Sequence, residues 1–117
     1  MRRTTLEVRI QREIELALGA EPDLLLMRNS VGRATFVKAD ASVAHVPYGL
    51  GVGSPDLVVI LDGRWFALEV KAKEGELSAE QVKVHGIWRR FGALVFVVRS
   101  VADARAALEQ ARKGKAA

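Results

Sequence analysis

The sequence contains no cysteine, and its two histidines, His45 and His85, lie far apart in the chain. Without thiols the protein can form neither a disulfide bond nor a thiolate metal site, and two distant histidines are poor material for a zinc site. Any metal is therefore expected to be a hard cation held by carboxylate and carbonyl oxygens. The lack of cysteine also agrees with a reducing, intracellular setting.

Long apolar runs are missing as well. No stretch approaches the roughly 20 apolar residues that a membrane span requires. The first residues lead into a charged segment rather than into the apolar core of a signal peptide. We therefore expect a soluble, cytoplasmic protein with no membrane partner.

The composition is that of an ordinary globular domain, since 50% of the 117 residues are hydrophobic and 27% are charged. This length fits one domain over residues 1–117, of which residues 113–117 are expected to form a frayed tail. The formal net charge is +4 and the isoelectric point is about 9.9. This basic balance favours a nucleic-acid partner.

The spacing of apolar residues, together with capping and turn residues, predicts the element order α-β-β-β-β-α-β-α. Helices are predicted over 6–18 with Thr5 as the cap, over 79–91 after Ser78, and from Ser100 onward; strands are predicted over 24–28, 34–38, 56–61, 64–71 and 93–98. Residues 39–54 are expected to form a loop with three glycines. Because the helix between residues 71 and 93 supplies the crossover that a parallel strand pair requires, we expect an α/β sandwich around a mixed sheet.

The most informative local feature is the dipeptide Asp62-Gly63, which is typical of a two-residue type I′ hairpin turn. The register of this hairpin places Asp56 directly opposite Glu69, where the two Cβ atoms would lie about 4.5 to 5.5 Å apart and like charges destabilise the sheet. A divalent cation between the carboxylates resolves this conflict, and carboxylate oxygens are the ligands that Mg²⁺ and Mn²⁺ prefer.

Strand alternation adds Lys71, which lies two residues after Glu69 and points to the same face. A lysine beside two carboxylates can hold a water molecule and stabilise the charge that develops on a phosphate. Taken singly, an aspartate at a strand start is typical of a turn, and a Glu-x-Lys sequence is typical of a solvated strand face. The placement of these residues opposite one another in a single hairpin favours a functional site instead.

These residues carry a family resemblance. Pro55-Asp56 followed by Glu69-Val70-Lys71 resembles the signature of the PD-(D/E)XK nuclease superfamily. Longer segments are similar to the virus-type replication-repair nuclease (VRR-NUC) domain, in its stand-alone phage and bacterial form: RNSVG at 28–32, YGLGVGSPDL at 48–57 and GELSAEQ at 75–81. The resemblance extends from about residue 5 to 108, and it implies a restriction-endonuclease-like αβββαβ core with a mixed central sheet flanked by helices.

The resemblance also implies a mechanism. Asp56, Glu69 and the backbone carbonyl of Val70 would bind Mg²⁺ or Mn²⁺, and Lys71 would position the attacking water. The superfamily further uses a glutamate on the first helix. Here Glu7 falls within the apolar arc of that helix, whereas Glu13 lies at its edge and Glu15 outside it, so Glu7 is the first candidate and Glu13 the next.

Gln81 has two interpretations. The resemblance makes it a site residue, whereas its position three residues after Ser78 is typical of a capping box. It shares a helix face with Val84 and Trp88, which favours the site. His85, one turn later, is interpreted as helix packing or a DNA contact rather than as a ligand.

Several basic residues are candidates for phosphate contacts. Arg33 and Lys73 come first because each flanks a glycine-containing loop near the proposed site, and Arg28 and Lys38 come next. Weaker candidates are Arg2, Arg3, Lys83, Arg89 and Arg90. No ladder of aromatic residues suggests stacking on single strands, so duplex or branched DNA is preferred.

The predicted function is a metal-dependent DNA endonuclease. The family resemblance implies a homodimer that acts on branched DNA such as four-way junctions, in a bacterial or phage-infected cell, and leaves room for a replication or repair partner such as a helicase. The alternative is a catalytically inactive nucleic-acid-binding module of the same fold. A small basic protein that binds another protein would also fit the composition, but it would explain none of the motif.

Overall fold

The computed structural model describes residues 4–114, so Arg2, Arg3 and the tail residues 115–117 lie outside the described part of the chain. Nine elements follow one another: α1 (Thr5–Gly19), β1 (Leu24–Arg28), β2 (Gly32–Val37), β3 (Val43–Tyr48), β4 (Leu57–Leu61), β5 (Arg64–Val70), α2 (Ala79–Arg90), β6 (Leu94–Val98) and α3 (Val101–Arg112).

The central sheet has four strands in the order β1-β4-β5-β6. β4 pairs antiparallel with both β1 and β5, whereas β5 and β6 are parallel and are joined through α2. The predicted mixed α/β fold is therefore confirmed. Because β4 and most of β5 are apolar at consecutive positions, they are buried on both faces, as strands between layers must be.

The main hydrophobic core lies where α1 and α3 pack on the sheet and against each other. Each large apolar side chain that is fully buried there contributes about 1.5 to 3 kcal/mol relative to an exposed position. The core includes Ile14, Leu18, Leu57, Val59, Phe66, Leu68, Val98 and Leu108. α2 packs against β6 and brings its inward side chains toward the end of β5.

The hairpin register is confirmed. Leu61 lies opposite Arg64, and the pairing continues to Leu57 opposite Leu68. Asp62 and Gly63 both have positive φ values, 52° and 77°, as a type I′ turn requires. β4 itself begins at Leu57, one residue later than predicted.

The region around residues 39–54 differs from the prediction. It was expected to be a loop, but it contains β3, which pairs antiparallel with β2 as a separate two-stranded ribbon. β2 begins at Gly32 rather than at residue 34, and β1 does not lie beside it but joins the main sheet next to β4. The strand was missed because Pro47 and the three glycines that follow it resemble a loop; a two-stranded ribbon tolerates proline since its outer edges are unpaired.

The helix caps agree with the prediction at two of three positions. Ser78 and Ser100 cap α2 and α3 as expected. At α1 the cap is Thr4 rather than Thr5, and its hydroxyl accepts a hydrogen bond of 3.0 Å from the backbone N–H of Glu7. Within residues 4–114, no helix is both long and apolar enough to cross a membrane.

Candidate active site

The five residues predicted to be catalytic line one cavity of about 360 Å³: Glu7, Asp56, Glu69, Lys71 and Gln81. We call it the acidic cavity. It is formed by α1, the loop that precedes β4, the end of β5 and the first turn of α2. These side chains come from positions 7 to 81 of the sequence. They lie close together because the sheet places the ends of β1, β4 and β5 beside one another, and α1 and α2 pack nearby.

Asp56 stands just before β4, where the hairpin register places it across from the last residues of β5. Its Oδ2 accepts a hydrogen bond of 2.7 Å from the backbone N–H of Val70. Its own carbonyl oxygen accepts a 2.8 Å bond from the backbone N–H of Asn29, at the end of β1. Both strands that flank β4 therefore hold Asp56 in place.

Glu69 is almost completely buried, with 2% of its surface exposed. A buried carboxylate is costly unless donors satisfy it. His85 Nε2 lies 2.8 Å from Glu69 Oε1, and Gln81 Nε2 donates to Oε2 at 3.3 Å. Both contacts come from α2, one helical turn apart, so this helix helps to orient the carboxylate.

Lys71 is also buried, although it lies one residue beyond the end of β5. Its backbone N–H donates to the carbonyl oxygen of Val98 at 3.0 Å, which continues the pairing of β5 with β6. The extended backbone keeps Lys71 on the same face as Glu69, and both side chains line the acidic cavity.

Of the two glutamates considered on the first helix, the structure places Glu7 in the acidic cavity and leaves Glu13 exposed. Glu7 is 8% exposed and lies in the first turn of α1. Gln11, one turn later, is equally buried and lines the same cavity, and the sequence analysis missed it. Its spacing of four residues from Glu7 was the signal that could have identified it.

The capping-box interpretation of Gln81 is confirmed, and the residue also lines the acidic cavity. Its side-chain Oε1 accepts from the backbone N–H of Ser78 at 2.8 Å, and its backbone N–H donates to Ser78 Oγ at 3.1 Å, which completes the capping box. The remaining group, Nε2, faces Glu69. One amide thus fixes the start of α2 with its oxygen and the site carboxylate with its nitrogen.

His85 makes no DNA contact of the kind considered from the sequence, because its side chain is completely buried. Burial lowers its pKa below the ordinary value of 6.5, and the positive charge of Arg89 acts in the same direction. The neutral ring has one N–H, and the contact with Glu69 places it on Nε2. The other nitrogen, Nδ1, has no hydrogen-bond partner among residues 4–114.

Asn29 is a further residue beside the cavity, and it belongs to the segment RNSVG that carried the family resemblance. Its Nδ2 donates to Ser54 Oγ at 2.7 Å and to the carbonyl oxygen of Pro55 at 2.8 Å, and its Oδ1 accepts from the backbone N–H of Leu50 at 3.0 Å. One amide therefore connects the end of β1 to both ends of the glycine-containing loop that leads to Asp56.

A comparison with solved structures shows what the whole chain resembles. A solved structure described as a VRR-NUC domain is 28% identical to this chain and superposes with a TM-score of 0.65. The match covers 91% of this chain and 97% of the other. The predicted resemblance to the VRR-NUC domain is confirmed. No protein-family model matches the sequence, and no curated protein matches it.

The four residues predicted to contact phosphate are all exposed, and Arg33, Lys73 and Arg28 lie within two residues of the wall of the acidic cavity. Arg33 is exposed on β2 directly after Gly32, a residue of the cavity wall, and Lys73 is exposed two residues after Lys71. Lys38 is exposed at the turn of the ribbon. Arg28 is exposed but forms an ion pair of 3.0 Å with Glu15, so part of its charge is already compensated.

The donor set of the acidic cavity suits a hard cation. Asp56 and Glu69 line the acidic cavity, and a carboxylate oxygen has two lone pairs, so an oxygen that accepts one hydrogen bond can also bind a cation. No group of three or more His, Cys, Asp or Glu residues in the described part of the chain is arranged as a metal site by itself. A cation would therefore draw on the Val70 carbonyl and on water, as Mg²⁺ commonly does.

Proposed function

We propose that the protein is a metal-dependent endonuclease that hydrolyses phosphodiester bonds of DNA. The observation that carries the proposal is the meeting of Asp56, Glu69 and Lys71 in one cavity of a VRR-NUC fold. Two carboxylates and a lysine at the end of a hairpin can together hold a cation, a water molecule and a phosphate oxygen.

The positions of the side chains support the proposed roles. Asp56, Glu69 and the Val70 carbonyl would hold Mg²⁺ or Mn²⁺, whose chemistry is to stabilise negative charge on the phosphate. Glu7, which lines the same cavity, would contact the cation through a water molecule. The ammonium group of Lys71 would orient the attacking water. Gln81 holds Glu69 through its Nε2.

DNA is the proposed substrate because the chain is basic overall, carries exposed Arg33, Lys73 and Arg28 next to residues of the cavity wall, and has a further exposed cation, Lys38, at the turn of the ribbon. Such cations position a nucleic acid through its phosphates without reading its sequence. We propose duplex or branched DNA, including four-way junctions, as the target.

A homodimer is proposed because one site of this kind cuts one strand, and cutting both strands requires two sites. The ribbon supports this: Phe36, Val46 and Tyr48 lie on one of its faces and are each about half exposed. A two-stranded ribbon needs packing against further structure to be stable in water. Light scattering of the protein in solution tests the dimer directly.

The experiment that tests the activity uses supercoiled plasmid and a four-way junction, each incubated with Mn²⁺ or with EDTA. Nicking is expected only with the metal, and Glu69→Ala should abolish it. Glu7→Ala should also reduce it strongly, whereas the matched control Glu13→Ala changes an exposed acid of the same helix and should leave it intact. Nicking that persists in EDTA, or that survives Glu69→Ala unchanged, would overturn the proposal; junction binding without nicking would indicate an inactive binding module.

A further inference from the structure

His85 is the one residue of α2 whose side chain is completely buried and polar. Its Nε2 lies 2.8 Å from Glu69 Oε1, while Nδ1 has no partner among residues 4–114. A buried nitrogen without a partner is costly, so packing alone would favour an apolar side chain here. The cost of burying Nδ1 without a partner is explained if the histidine is needed for the hydrogen bond from its Nε2–H group to Glu69.

We propose that His85 is a positioning residue that orients Glu69 for the metal site by donating a hydrogen bond from Nε2 to Oε1. The inference rests on the proposed function, because Glu69 is a ligand there. A carboxylate on a flexible glutamate can rotate about its terminal bond, and a donor on one oxygen, such as Gln81 Nε2 on Oε2, constrains that rotation less than donors on both oxygens do. A second donor on Oε1 fixes the plane of the carboxylate.

The two donors differ in how firmly they are held. Gln81 donates over 3.3 Å from a partly exposed side chain that also serves the helix cap. His85 donates over 2.8 Å from a rigid ring with no exposed surface. The ring is therefore the more precise of the two constraints, as expected of groups that support metal ligands from behind.

The experiment uses a matched pair of amide substitutions. In His85→Gln the Nε2 atom is as many bonds from Cα as His85 Nε2, so the amide can still donate to Glu69. In His85→Asn the side chain is one methylene shorter, so its amide does not reach Glu69. Mn²⁺ binding to the DNA-free protein is measured by electron paramagnetic resonance, with urea unfolding to compare stabilities.

His85→Gln is expected to keep most of the Mn²⁺ affinity, whereas His85→Asn should lose about 10- to 100-fold, the usual effect of removing a group that orients a ligand. Equal affinity of His85→Asn and wild type would overturn the inference and leave the proposed function intact. Failure of the wild-type protein to bind Mn²⁺ would overturn the metal site itself, and the inference with it.

A measurement on the unaltered protein keeps the inference testable if His85→Asn does not fold. Long-range ¹⁵N–¹H NMR spectra report which ring nitrogen carries the proton. The Nε2–H form is expected, with a ring signal that shifts as Mg²⁺ is added. A proton on Nδ1 instead would overturn the proposed hydrogen bond.

Discussion

Gly53 lies in the loop that leads to Asp56, and its backbone has a φ of +89°. A Cβ atom added there would lie 2.7 Å from the carbonyl oxygen of Glu80 and 3.0 Å from the carbonyl carbon, in the first turn of α2. Both neighbours are backbone atoms and cannot rotate away. The substitution Gly53→Ala therefore forces either the loop or the helix to move.

Two contributions determine how much stability Gly53→Ala should lose. Placing a side chain in the left-handed region costs about 1 to 2 kcal/mol. Relieving an overlap with fixed atoms costs about 1 to 3 kcal/mol more. We expect Gly53→Ala to lower the free energy of unfolding by about 2 to 5 kcal/mol. The variant should also nick DNA more slowly than the wild type, because the displaced loop and helix carry Asp56 and Gln81.

Urea unfolding with two matched controls separates the contributions. Gly51 has a φ of +101°, but no atom of residues 4–114 lies within 4 Å of its added Cβ, so Gly51→Ala should cost only the strain of about 1 to 2 kcal/mol. Gly19, at the end of α1, has ordinary φ and an equally open position, so Gly19→Ala should stabilise by about 0.5 to 1 kcal/mol. Equal losses for Gly53→Ala and Gly51→Ala would show that the loop does not contact α2 here, and would refute the reasoning.

Three further predictions concern other contacts. Asn29→Ala should lower the free energy of unfolding in urea by about 1 to 3 kcal/mol, since it removes the side-chain acceptor of the Leu50 N–H and the donor to the Pro55 carbonyl oxygen; a loss as small as that of an exposed substitution would contradict this. The hydrogen bond from Arg112 holds the pKa of Asp23 below its ordinary value near 3.8, so Arg112→Met should raise that pKa toward 3.8 in an NMR titration. Because the pKa is depressed in the folded state, this contact stabilises the protein above about pH 4 and is lost as the pH falls through the folded pKa, so acid should destabilise the wild type more than the variant. Lys73→Gln should weaken binding to every duplex alike and reduce the slope of log affinity against log salt by about 1, and an unchanged slope would remove Lys73 from the phosphate contacts.

The sequence alone was sufficient wherever the decisive interactions are local. Asp62-Gly63 determines the turn, the turn determines the register, and the register brings Asp56 across from the end of β5. The inward placement of Glu7 follows in the same way from helical periodicity, because only neighbouring turns of α1 are involved. These inferences needed no knowledge of distant contacts.

The tertiary structure decided whatever depends on partners far along the chain. β1 pairs with β4 rather than with β2, and no local signal distinguishes these choices, because an apolar strand fits beside either. The contact of His85 with Glu69 is a second example. The sequence predicted that His85 lies in a helix, but the contact exists only because α2 packs on the end of the sheet. Turn geometry and periodicity are properties of a few consecutive residues, whereas strand order and the surroundings of a buried side chain are properties of the whole packed chain.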